Sequence, residues 1–167
     1  MDQIFDNKEY IDLVKDILDK KEFKEIDKIA HHGTTRYMHS VRVSYYAYKI
    51  AKKFRLDYVK VARAGLLHDF FMSSPDRTKL ERMLSTFTHP KYACRNASSM
   101  FELSDMEKDI IISHMFPVNY RVPKYLESWL VSFADKGVAT YEFLGVCKHA
   151  YKYAINFIAI VVFKKVI

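Results

Sequence analysis

Glycine and proline are scarce, with four of each in 167 residues. So few turn signals exclude the closely spaced hairpins of an all-β chain and suit long helices joined by short connectors. Cysteine is almost absent. Cys94 and Cys147 stand alone without ligand-like spacing, so a disulfide framework and a thiolate metal site are both excluded. Free thiols in a reducing, cytoplasmic compartment are expected instead. Long apolar runs are missing too. The longest, Phe157 to Phe163, has seven residues, against roughly 20 for a membrane helix, so no membrane partner is expected. The first residues, Met1-Asp2-Gln3, carry no signal-peptide pattern. Dense basic blocks are also lacking: 27 Lys and Arg are interspersed among 20 acids, never more than two in a row, for a net charge of +7. Nucleic-acid-binding arms are denser than this. The charge therefore reads as mild steering of a small anion and speaks against a nucleic-acid partner.

What is present is a globular composition, 50% hydrophobic and 28% charged, long enough to bury a real core as a single domain over residues 1–167. Helical periodicity runs through most of it. Residues 8–30 read as an amphipathic helix with a break near Lys20-Lys21. His31 to Tyr37 reads as a loop, with Thr34 or Thr35 capping a helix over 37–54. Asp57 is a plausible cap for 58–69, and 77–84 reads as a short helix. Thr86-Phe87-Thr88-His89-Pro90 restarts the chain as a new helix, because Pro suits a first turn. Ser104-Asp105-Met106-Glu107 is a capping box opening a helix to His114. A helix over 123–142 follows, and Gly145 separates it from a last one ending near 165. The expected fold is all-α, with about six to eight helices and no sheet.

Polar residues interrupt this pattern at particular places. In Ala64-Gly65-Leu66-Leu67-His68-Asp69, an apolar run ends in an adjacent His and Asp. Burying both without a partner is costly, and a divalent cation removes the cost, since imidazole and carboxylate are ordinary ligands. Ala64 and Gly65 leave room on the same helix face for a close neighbour. His39, His89, His114 and Asp135 interrupt other segments, so the candidates succeed one another at intervals of 29, 20, 25 and 21 residues.

The ordered set His39, His68-Asp69, Asp135 resembles the H…HD…D pattern of the HD-domain metal-dependent phosphohydrolase superfamily over about residues 35–140. The phrase Arg36-Tyr37-Met38-His39-Ser40-Val41-Arg42-Val43 is similar to its first-helix signature. His89 and His114 occupy the places of the two further histidines of its dinuclear members. The resemblance implies a helical bundle holding two divalent transition metals, Fe or Mn first and Co, Ni, Zn or Mg next. In that arrangement His39, His68 and Asp135 hold one ion, His89 and His114 the other, and Asp69 touches both. Two such ions clamp a phosphoryl group and acidify a water. The implied activity is hydrolysis of a nucleotide or other small phosphoester. Asp69, Arg36 and Lys136 are the catalytic candidates, Arg36 as a bidentate phosphate ligand and Lys136 as a point charge. Asp76 is a weaker candidate for general acid. His31, His32 and His149 fall outside the pattern. Phe70-Phe71 stands where the cyclic-dinucleotide branch carries other residues, and the Gly-Tyr-Pro motif of that branch is absent. Two rival readings share these ligands: a di-iron oxygenase of the same superfamily, and a non-catalytic regulatory or nucleic-acid-binding domain stabilised by its metal.

Overall fold

Helix starts follow their capping residues. In the computed structural model, which describes residues 2–31, 33–72 and 78–164, a single turn α1 (Asp2–Phe5) precedes α2 (Lys8–Leu18). The Asn7 side chain accepts from the Tyr10 amide to cap α2. The expected break at Lys20-Lys21 is present. Another single turn, α3 (Lys21–Lys24), runs into a 3-10 turn at Glu25–Lys28. Thr35 caps α4 (Arg36–Lys53), Asp57 caps α5 (Tyr58–Leu67), and Ser104 with Glu107 forms a complete capping box on α7 (Asp105–Ser113). Each cap satisfies amide donors that the first turn leaves unpaired. The helical expectation holds. Among the described residues the strand content is one two-stranded antiparallel ribbon, β1 (Ala30–His31) with β2 (Thr34–Thr35). It lies where a plain loop was expected and turns through Gly33 at φ +85°.

Two expected breaks do not occur. Lys79 to Met100 is one helix, α6, which passes straight through Pro90. His89 therefore lies inside a helix and not at its start. Proline costs a helix about 3 kcal/mol by removing a donor and crowding the previous turn. Two side chains add bonds to the turn before it, Thr88 Oγ1 to Leu84 O (3.3 Å) and His89 Nδ1 to Ser85 O (2.9 Å), while the carbonyl that loses its amide is that of Thr86. Burial of Ala93 and Ala97 beyond the proline supports continuation. Likewise Leu126 to Lys164 is a single helix, α8, running through Gly137 and Gly145. An interior glycine costs only about 1 kcal/mol relative to alanine, too little to end a helix without a terminating cap. The start of α8 is also later than Pro123. Asp76, the candidate general acid, lies outside the described residues.

The core forms where α2, α4, α5, α7 and the first half of α8 face one another. Buried Tyr10 on α2 donates to Ser44 Oγ on α4 (2.8 Å), which donates to Ala62 O on α5 (2.6 Å). Three helices are thus joined through one hydroxyl relay with every polar atom paired. One turn further along α5, a Cβ on Gly65 would lie 3.1 Å from Ser44 Cα. The absence of that atom lets the backbones of α4 and α5 touch, and it sets how close His39 and His68 come.

The two helical glycines predict opposite responses to one substitution. Gly65→Ala drives a methyl into the α4 backbone, so a loss of about 1–3 kcal/mol is expected from overpacking, read as a melting temperature several degrees lower. Gly137 has nothing within 4 Å of its would-be Cβ, so Gly137→Ala gains up to about 1 kcal/mol from helix propensity. Thermal melts of the two variants check both signs.

Candidate metal centre

Five helices deliver the six candidate ligands. His39 comes from the first turn of α4 and His89 from the middle of α6. His68 and His114 are the C-cap residues of α5 and α7, Asp69 follows His68 directly, and Asp135 lies in α8. All six are buried. The sequence-predicted set is therefore brought together in full.

The C-cap position explains how two of the rings are aimed. The last carbonyls of a helix have no amide partner within it. His68 Nδ1 donates to Gly65 O (2.8 Å) and His114 Nδ1 to Ile111 O (2.8 Å). His89 Nδ1 donates to Ser85 O. A carbonyl only accepts, so in each neutral ring the proton sits on Nδ1 and the Nε2 lone pair faces inward. These nitrogens converge. His89 Nε2 is 3.0 Å from His114 Nε2, 3.2 Å from Asp69 Oδ1, and His114 Nε2 is 3.7 Å from the same oxygen. His68 Nε2 lies 3.7 Å from Asp135 Oδ1 and is buried with no hydrogen-bond partner. His39 Nε2 is 3.0 Å from Asp135 Oδ1.

Buried lone pairs facing lone pairs and carboxylates repel unless a cation lies among them, so the donor set fits divalent metal chemistry. The ligand atoms form two groups, His39 with His68 and Asp135, and His68 with Asp69 and His114, each within 4.8 Å of one another. His68 lies near both groups. Asp69 turns Oδ1 toward His89 and His114, and its Oδ2 lies 3.8 Å from Arg36 Nε.

Electrostatics follow from the same contacts. Burial opposes charging His39, but Asp135 and Glu142, one on each ring nitrogen, outweigh it and push its pKa up to about 9. Burial, with His68 and His89 alongside, pushes His114 down to about 3. Burial also works to raise Asp69 and Asp135. The surrounding histidines overcome it, and both carboxyls are held well below the usual carboxylate range.

The remaining candidates are placed differently from one another. Arg36 is buried beside the ligands, with Nε 3.8 Å from Asp69 Oδ2. Its Nη1 donates to Phe71 O (2.6 Å), its guanidinium lies 3.8 Å over the Phe71 ring, and that ring stacks on His89. Lys136 spends its ammonium on structure, donating to His114 O (2.9 Å), Ser132 O (3.1 Å) and Ser132 Oγ (2.9 Å). With three donors on three acceptors, the ammonium ties α8 to the end of α7. Sequence reasoning missed Glu142, which accepts from His39 Nδ1 at 2.8 Å. It follows Asp135 by seven residues, two turns along the same helical face, a spacing that places the two on one face and says nothing of what lies across from it.

Removal of metal is predicted to destabilise the protein, because an ion that binds only the folded state adds stability by mass action. Chelation should lower the melting temperature and added Mn or Fe should restore it. An unchanged melt after chelation confirmed by elemental analysis would count against a bound core ion.

A family model described as HD domain matches residues 36–139. No curated protein and no solved structure matches the chain. The matched span contains every ligand in the cluster, from the first turn of α4 to Asp135. By that match the chain belongs to the HD domain family, a superfamily of metal-dependent hydrolases that bind divalent metals.

Proposed function

We propose that this protein is a phosphohydrolase that cleaves a small phosphoester, a nucleotide among the candidates, with water as nucleophile and two divalent ions as cofactors. The observation that carries the reading is the inward convergence of Nε2 atoms on two buried carboxylates, with three of the rings fixed by backbone carbonyls. His39, His68 and Asp135 would hold one ion and His89 and His114 the other, with Asp69 shared. Fe or Mn suits this mixed His and carboxylate set, with Co, Ni, Zn or Mg as weaker fits. When bound, such ions polarise a phosphoryl oxygen and bring the pKa of a coordinated water near neutrality.

The chain's own residues supply the rest. Glu142 and the carbonyls of Gly65, Ser85 and Ile111 fix the four imidazoles before any ion arrives, so little reorganisation remains at reaction. Arg36, braced by Phe71, sets a permanent cation against Asp69 at the edge of the cluster, where it can offset phosphate charge. Phe71 and His89 form one wall of a cleft of about 430 Å³ that also includes Leu84, Tyr92 and Asn96. This mixed aromatic and polar lining suits the organic part of a phosphoester, held beside the metal ligands. Among the described residues no helix is long and apolar enough to cross a membrane.

The test is elemental analysis of protein purified without added metal, followed by a phosphatase screen with each metal restored. Asp69→Ala should lose both ions and all activity. His89→Ala and His114→Ala should each keep about one ion per chain and lose roughly 10²-fold or more in rate, since the two-ion clamp is broken. Arg36→Ala should keep both ions and act on substrate affinity or turnover. Two ions retained with full activity in both histidine variants would overturn the dinuclear assignment. Oxygen uptake without phosphate release, together with an EPR signal from a mixed-valence iron pair, would point to the oxygenase chemistry instead.

A further inference from the structure

His39 differs from the other three histidines in where it sits on its helix. His68 and His114 end helices, where free carbonyls accept the Nδ1 proton. His39 lies in the first turn of α4. That end of a helix presents unpaired amide donors, and its carbonyls are engaged in the turns that follow. The His39 ring takes its Nδ1 partner from another helix. Glu142 on α8 supplies it. The carboxylate is buried, and its Oε2 accepts from His39 Nδ1 at 2.8 Å. Its other oxygen, Oε1, accepts from Arg42 Nη1 at 2.5 Å. Arg42 follows His39 by one turn on α4, and Glu142 follows Asp135 by two turns on α8. The two helices are thus clasped by an alternating series of donor and acceptor side chains: Asp135, His39, Glu142, Arg42.

We propose that Glu142, held in place by Arg42, is a positioning residue for the metal centre: it fixes the ring of His39 so that Nε2 faces the ion shared with His68 and Asp135. The inference rests on the metal-centre reading above. It also makes the two ends of the centre unequal. The His39 end has a carboxylate behind a ligand, which strengthens the imidazole as a donor. The His89 and His114 end has only neutral carbonyls behind its rings. The ion at the His39 end is therefore the more tightly held, and the centre loads in order.

The experiment isolates that end by using His114→Ala, which leaves a single site, and compares Mn binding with and without a second change at Glu142. Glu142→Gln keeps the shape but faces two N–H donors, from His39 and Arg42, with only one acceptor oxygen. The expected result is a Kd roughly 10–100-fold weaker in the double variant, the usual effect of losing such a partner. Arg42→Met should weaken Kd in the same direction by a smaller factor, and adding it to Glu142→Gln should cost little more, because both act through one ring. Melting of the metal-free variants is measured alongside. Equal Kd values with and without Glu142→Gln, whatever the metal-free melting temperature, would overturn the positioning role. If Glu142→Gln fails to fold, an unchanged Kd in the Arg42→Met variant overturns it equally. Wild-type protein that takes up no ion at all would remove the metal centre itself, an outcome distinct from normal wild-type loading with an indifferent Glu142.

Discussion

Repulsion among buried ligands is the constraint on which the structure turns. Six metal-type side chains meet where α4 to α8 converge, and none of the helices can bury its own contribution alone. A lone imidazole or carboxylate in an apolar interior forfeits its hydration. Gathered around divalent charge, the same groups become a cross-link. The hydrophobic core on the α2 side of α4 and α5 is conventional, with Tyr10, Phe23, Leu66 and Ile110 fully buried. It aligns the helices, and the polar cluster then specifies which side chains face which.

The two regions obey one accounting rule. In the core, the Tyr10 hydroxyl, the Ser44 hydroxyl and the Ala62 carbonyl close a chain of hydrogen bonds. Around the cluster, the pairing stops one atom short. Outer nitrogens are satisfied by carbonyls or Glu142, and inner nitrogens are left to one another and to carboxylates. A buried imidazole nitrogen with no hydrogen-bond partner, aimed at a carboxylate as His68 Nε2 is at Asp135, marks a place where a cation fits.

Much of this was legible in the sequence because it is local. Thr35, Asp57 and the Ser104/Glu107 box announce helix starts through contacts spanning three residues. The order His39, His68-Asp69, His89, His114, Asp135 was legible because each residue breaks an apolar stripe. The errors came from reading breakers as absolute. Pro90 and Gly145 carry real local penalties, but neither ends its helix: Ala93 and Ala97 are buried beyond the proline, and two expected pairs of helices are two single ones. Lys136 and Glu142 were opaque for a different reason. A lysine next to Asp135 reads from sequence as a point charge for phosphate, and its ammonium lies at the end of α7. A glutamate two turns away looks like surface, yet it stands behind a ligand. Their roles depend on which neighbour lies across the helix interface, and periodicity along one helix does not encode that.

Gly65 joins these two levels in a single residue. Its missing side chain admits the α4 backbone at Ser44, and its carbonyl takes the proton of the His68 ring. The separation of two scaffold helices and the aim of a candidate ligand are therefore set at one position along the chain. Evolution cannot adjust one of them here without moving the other. The α4–α5 pair behaves as a fixed jaw, and variation in such a centre has to come from the parts that close on it: α6 with its cleft, α7 with its clamped end, and α8 with its buried glutamate.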